Sequence, residues 1–214
     1  MGSSAYGGRE GAVATITFNR PQALNAIDVT MAQGFLAAVR EIAADRGVRA
    51  VLLRGEGKGF VAAGAGLSLM LQADFVIAAE GTRFNLAYVN IGTSCDVGAS
   101  WALPRRVGLR RALEIALLGD TVDAVSAEQM GLVNRVVPAD ALPAEAMALA
   151  QRLAAGTTVA LGQLRRLMRS SLDHDLATQL DREAQGFQVC AASADFGIGV
   201  DAFFARAKPA FTGR

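Results

Sequence analysis

The sequence predicts an α/β fold with parallel strand pairing, followed by a helical C-terminal region. Three observations point there. Strand-like and helix-like segments alternate between residues 12 and 138, the segment 48–55 is apolar like a buried strand, and no strand signal remains after Pro138. The expected organisation is an α/β core over residues 1–138 and a helical region over 139–214.

The elements follow in order. In "AVATITFN" (12–19), Val13, Thr15 and Thr17 alternate with Ala14, Ile16 and Phe18, a strand pattern. "RPQALNAID" is a loop broken at Pro21. From Thr30 to Ala44 the residues Met31, Phe35, Leu36, Val39 and Ile42 recur at helical spacing. "VRAVLLRG" (48–55) reads as a buried strand and "GEGKG" as the turn after it. "GAGLSLMLQ" (64–72) opens on glycines and continues as a buried helix, and "DFVIAAE" (74–80) returns to strand. Residues 99–119 read as two helical pieces, with Pro104 disfavouring a continuous helix and Gly119 as a stop. "VSAEQMG" (125–131) is a short helix with Ser126 as N-cap and Gln129 completing a capping box, and "LVNRVV" (132–137) is a strand. Four helical stretches then run to the end, and no repeat with a solenoid period is present.

Composition narrows the function classes. Hydrophobic residues make up 52% of the 214 residues and the mean hydropathy is +0.30, so the chain can bury a real core. With 21 basic against 20 acidic residues, nucleic acid is not the expected partner. Cys95 and Cys190 match no metal or redox spacing, so no metal site is expected and a reduced compartment fits. No apolar run reaches the roughly 18 residues of a membrane span. "MGSSAYGG" lacks the regions of a signal peptide and reads in part as an expression tag. The expected setting is the cytoplasm, away from membranes.

Chemistry concentrates in "GEGKGF", "AAGAGLSL" and "IGTSCDVGASWALPR". Glycines before a helix leave N–H groups of its first turn free for a phosphate or a developing oxyanion, although close packing explains such a start equally well. Asp96 is an acid among small residues, either a cap for the helix that opens near Gly98 or a proton-moving group.

Together "ATITFNRPQALNAI", "AGAGLSLMLQADFVIAAEGTRF", "ALPRRVGLRRALEIALLGDTVDAVSAEQMGLVNRVV" and "FFARAKPAFTG" resemble the crotonase (enoyl-CoA hydratase/isomerase) superfamily over nearly the whole chain from residue 11. The resemblance implies a spiral of ββα units with C-terminal helices that build a homotrimer, often doubled to a hexamer. It also implies acyl-CoA thioester substrates whose thioester oxygen is held by two backbone N–H groups as an enolate forms. Coenzyme A would arrive with the substrate, with no metal and no separate cofactor.

Carried onto this chain, Gly64, Ala65 and Gly66 match the second oxyanion motif, with Ala65 N–H as donor. The first donor follows an aromatic in the family pattern, but here Phe60 runs directly into Val61. On the order of 40 residues are missing relative to that pattern, comparable to a βαβ unit. The intact flanking motifs favour an unprinted stretch over a true deletion. The two glutamates of family hydratases correspond to Ser68 and Tyr88, which places both in the substrate site and weighs against simple hydration. Asp96 matches the loop aspartate of family isomerases, where an acyl pocket would desolvate it; a related dehalogenase uses that position as a nucleophile. Lys208 and Phe211 match a tail that approaches the CoA phosphate and base. Arg105, Arg106, Arg110 and Arg111 meet either CoA phosphates or solvent, His174 reads as a solvated helix-start residue, and Cys95 has no histidine partner.

The resulting expectation is an acyl-CoA isomerase of fatty or aromatic acid catabolism with Asp96 and Ala65 as catalytic groups. The alternatives are a hydratase-like lyase and a catalytically silent acyl-CoA-binding or assembly subunit.

Overall fold

In the computed structural model, residues 5–57, 59–60 and 64–214 are described. β1 (Ala5–Glu10) and β2 (Val13–Phe18) pair antiparallel from Ala5↔Phe18 to Glu10↔Val13, turning at Gly11, whose φ is +58°. β1 had no sequence signal, since "AYGGRE" shows no apolar alternation. Its partner β2 supplies the buried face, with Val13, Ala14, Ile16 and Phe18 nearly inaccessible.

A 3-10 turn at Pro21–Ala23 leads to α1 (Val29–Ala44), capped by Asp28, whose carboxylate accepts from Met31 N–H at 2.8 Å. α1 lies on the first sheet, and Phe18 meets the rings of Phe35 and Phe60 at centroid distances of 5.5 and 5.4 Å. β3 (Ala50–Gly55) pairs with β2 in the parallel sense, Ile16 opposite Leu53. It is not the buried strand its composition suggests: Val51 is 48% exposed, because among the described residues β3 pairs on one side only.

α2 (Ala65–Met70) is buried, as its sequence indicates. Beyond it come β4 (Ile77–Ala79), β5 (Arg83–Phe84), α3 (Ala99–Val107) and α4 (Leu109–Leu118), then β6 (Val122–Asp123), α5 (Ala124–Gln129) and β7 (Arg135–Val137). β4 and β7 pair parallel, while β5 and β6 pair antiparallel. The break between α3 and α4 falls at Gly108, with φ +77°, rather than at Pro104, which stays inside α3. Ser100, whose carbonyl loses a partner to Pro104, is exposed and can turn to water. The cap of α5 is Asp123, whose carboxylate accepts from Ser126 N–H at 2.9 Å, so Ser126 is the capped residue and not the cap.

Every described element after β7 is helical: α6 (Leu142–Ala154), α7 (Thr158–Ser170), α8 (Leu176–Ala191) and α9 (Ala194–Ala205). α6 sets Ala150 and Ala154 against Val13 and packs on both β3 and β4, bridging two sheets that do not hydrogen-bond to each other. A larger core around Leu67, Leu71, Leu86, Leu103 and Leu132 joins α2 to α3, α5 and the strands beside them. Among the described residues no single helix is long and apolar enough to cross a membrane.

The junction of Phe60 with Val61, where the family pattern places the extra stretch, lies partly outside the described residues. Val61 itself, the expected neighbour of the first oxyanion donor, lies outside the described residues.

Candidate functional site

The site is built where α2 begins. Gly64 has φ +80° and ψ −110°, a conformation open to glycine and strained for other residues, and its N–H donates to the Asn85 carbonyl at 3.2 Å. A Cβ at Gly64 would sit 3.6 Å from Tyr88 Cζ, an ordinary contact, so backbone conformation and not space demands glycine. The first intrahelical bond runs from Ser68 N–H to the Gly64 carbonyl at 3.1 Å. The N–H groups of Ala65, Gly66 and Leu67 precede it and take no part in the helical ladder. Ala65 is half-buried and Gly66 buried.

Ser68 lies one turn further along, with 0% of its surface exposed. Its hydroxyl is 3.2 Å from the Gly64 carbonyl and 3.0 Å from the Tyr88 phenol oxygen. Tyr88 stands on a tight turn: its N–H donates to the Leu86 carbonyl at 2.7 Å, and its own carbonyl accepts from Thr93 N–H at 3.1 Å. The phenol donates to Asp96 Oδ1. Partial burial, and then the Asp96 carboxylate beside it, push the Tyr88 phenol above the ordinary tyrosine range, with Ser68 opposing. Tyr88 is therefore a neutral donor at neutral pH.

Asp96 sits in a loop held by Gly92, Val97 and Gly98 at positive φ, and Gln72 ties that loop to α2 by donating to the Val97 carbonyl at 3.2 Å. The cap position of α3 is occupied by Gly98 with no side-chain hydrogen bond. Asp96 contributes its carbonyl to Ala99 N–H at 3.1 Å, but its carboxylate does not cap the helix. That carboxylate goes to Tyr88 instead. Asp96 is exposed in the single chain.

The structure thus joins Gly64, Ala65, Ser68, Tyr88 and Asp96, and sequence reasoning had placed them in the site without the hydroxyl chain that links them. Gln72 was missed. Its signal is its spacing, four residues after Ser68 and just past the end of α2. Lys208 and Phe211 are not brought to this group: Lys208 is exposed, and Phe211 lies against Gly199, where a Cβ would be 3.5 Å from its ring. A separate open apolar cleft of about 450 Å³ runs between α9 and the tail, lined by Phe196, Val200, Phe203 and Phe211. The one acid in its lining, Asp195, is committed to the backbone of the tail.

The arginine run is mostly engaged. Arg105 lies 4.1 Å above the Trp101 ring and pairs with Asp173 at 3.0 Å, Arg106 donates to the Ala73 carbonyl at 3.0 Å, and Arg111 pairs with Glu114 at 2.7 Å. Among the described residues no cluster of three His, Cys, Asp or Glu side chains could hold a metal ion.

Sequence models of the enoyl-CoA hydratase/isomerase family match residues 13–64 and 58–214, meeting where the chain runs from Phe60 into Val61. The 1,2-epoxyphenylacetyl-CoA isomerase of Escherichia coli K12 is 32% identical over 253 residues, covering 96% of this chain and 97% of that protein. Its alignment is longer than this chain, leaving roughly 50 of its positions unmatched, more than a βαβ unit. The 2,3-dehydroadipyl-CoA hydratase of the same organism is 35% identical over 153 residues, covering 72% of this chain and 60% of that protein. A solved enoyl-CoA hydratase subunit from Geobacillus kaustophilus HTA426 superposes with a TM-score of 0.95 at 29% identity, covering 99% of this chain and 98% of that one.

Proposed function

Because this chain belongs to the enoyl-CoA hydratase/isomerase family and has its crotonase-type fold, we propose that it is an acyl-CoA isomerase with Asp96 as the base. The observation that carries the reading is the hydrogen bond from Tyr88 to Asp96 beside the Gly64–Ala65 turn. Two hydratase carboxylates are replaced by hydroxyl groups, Ser68 and Tyr88, which cannot share acid and base work on water near neutral pH. One carboxylate suffices for an allylic shift. Asp96 takes a proton from the carbon next to the thioester and the C–H electrons move to the thioester oxygen; the proton on the exposed carboxyl exchanges with water in part before Asp96 returns one to another carbon. Ala65 N–H stabilises the enolate oxygen, an interaction whose removal in other enzymes costs about 3 kcal/mol.

The acyl group belongs to a fatty or aromatic acid and arrives on coenzyme A, which needs no further cofactor. Lys208 and Phe211 lie on the tail that would meet CoA. Phe187, Phe203 and Phe204, exposed by 64, 78 and 80%, supply an apolar face suited to a homotrimer or hexamer.

Asp96→Asn tests the reading. It should nearly abolish deuterium exchange at the α and γ carbons of the acyl group while retaining binding of the acyl-CoA; exchange that survives would sink Asp96 as base. Loss of the enoyl-thioester absorbance of crotonyl-CoA on water addition would instead identify a hydratase.

A second reading is supported by the direct run from Phe60 into Val61 and the exposure of Asp96. A chain without the stretch that carries the first oxyanion donor would serve as a silent acyl-CoA-binding or assembly subunit. Binding without turnover across a panel of acyl-CoAs would favour it.

A further inference from the structure

Resting on Asp96 as the base, we propose that Ser68 and Tyr88 are positioning residues that couple the charge on Asp96 to the Gly64–Ala65 peptide. An ionised carboxylate accepts and cannot donate, so the Tyr88 hydrogen goes to Asp96 Oδ1. The phenol oxygen is then the acceptor in the next link. The single Ser68 hydrogen is drawn to it at 3.0 Å in preference to the Gly64 carbonyl at 3.2 Å. Ser68 is wholly buried, so water does not compete for that choice. With Oδ1 occupied, Oδ2 is the oxygen left to meet the substrate.

Taking the substrate's proton changes the balance. A neutral carboxyl group is a weaker acceptor, since charge-assisted hydrogen bonds are roughly twice as strong as neutral ones. The pull on Tyr88 relaxes, and the Ser68 hydrogen is released toward the Gly64 carbonyl. That carbonyl and Ala65 N–H are the two ends of one peptide unit, so a donor at the first polarises the second. The polarisation comes when the enolate charge rests on the thioester oxygen. No covalent bond changes in this step; two hydroxyl hydrogens reorient.

The test follows deuterium exchange into phenylacetyl-CoA and a β,γ-enoyl-CoA, whose reacting hydrogens lie between a thioester and a π system. Tyr88→Phe should lower kcat by about 10- to 100-fold with KM within about twofold, the scale of a misplaced catalytic group. Ser68→Ala should lower kcat by about tenfold, and the double variant should be no slower than Tyr88→Phe alone, because Ser68 acts through Tyr88. Circular dichroism establishes that each variant is folded. Ser68→Ala deletes one oxygen atom and decides alone if Tyr88→Phe does not fold: unchanged kcat overturns the coupling. Effects that multiply in the double variant also overturn it, while leaving Asp96 as base. Exchange that persists in Asp96→Asn, or is missing from the unaltered protein with both probes, overturns the base assignment and the coupling together.

Discussion

Asp195 holds Thr212 by two hydrogen bonds to one oxygen, from the backbone N–H at 2.6 Å and the hydroxyl at 3.0 Å. Its other oxygen takes Gly213 N–H at 2.8 Å, and its own N–H donates to the Arg214 carbonyl at 3.0 Å. Burial pulls the carboxyl upward, but the Thr212 and Gly213 donors, with Arg49 nearby, outweigh it and hold it below the ordinary carboxylate range. A group depressed on folding contributes stability above its unfolded value and loses it as pH falls through the folded one. Asp195→Ala should therefore lower stability by about 3 kcal/mol at neutral pH, the scale of unmaking several charge-assisted bonds. The difference from the unaltered protein should shrink in acid denaturation series. Equal melting temperatures at neutral pH would show that the tail is held by something else.

Tyr88 titrates in the opposite sense. Its phenol is raised, so its contribution is complete below the unfolded tyrosine value and lost as pH rises through the folded one. The chain has two tyrosines, so a Tyr6→Phe background isolates Tyr88. In that background Asp96→Asn should move the phenolate absorbance titration to lower pH, leaving the part due to burial. An unmoved midpoint would mean the phenol and the carboxylate do not meet in solution.

Gly64→Ala should destabilise the chain by about 1 to 3 kcal/mol, the cost of a strained backbone. The neighbouring atoms leave room for the methyl group, so the loss comes from φ +80° alone. Denaturant midpoints measure it, and binding of an acyl-CoA should weaken in parallel as Ala65 N–H is displaced.

Asn25, 0% exposed, donates to the carbonyls of Glu56 at 2.9 Å and Gly59 at 2.7 Å and accepts from Arg20 N–H at 2.7 Å. It ties the loop after β2 to the loop that leads into Phe60. Asn25→Asp should destabilise more than Asn25→Ala, because it turns a donor into a buried charge facing two carbonyl oxygens; about 3 kcal/mol or more is expected. Urea denaturation of both variants decides the order.

What the sequence revealed depended on whether the signal was periodic. β2 and α1 were legible from alternation and helical spacing, and the parallel register of β2 and β3 agrees with the expected crossover. β1 was invisible because Gly7 and Gly8 carry no pattern, and its conformation comes from β2. Pro104 misled because the cost of proline depends on whether the deprived carbonyl reaches water. At the site, Asp96, Ser68 and Tyr88 were each visible as residues. Their joining was not, since the hydrogen bond from Tyr88 to Asp96 depends on how two glycine-bent loops approach. The exposure of Asp96 was equally hidden, because accessibility is a property of what surrounds a residue.

The one-sided pairing of β3 among the described residues has a practical meaning for anyone handling this protein. A row of backbone donors and acceptors beside half-exposed Val51 is a template on which extended segments of other molecules can deposit, and β-edges of this kind seed aggregates. Concentrated samples should lose material first through that strand, and a lysine at position 51 should slow the loss without touching the chemistry at Asp96.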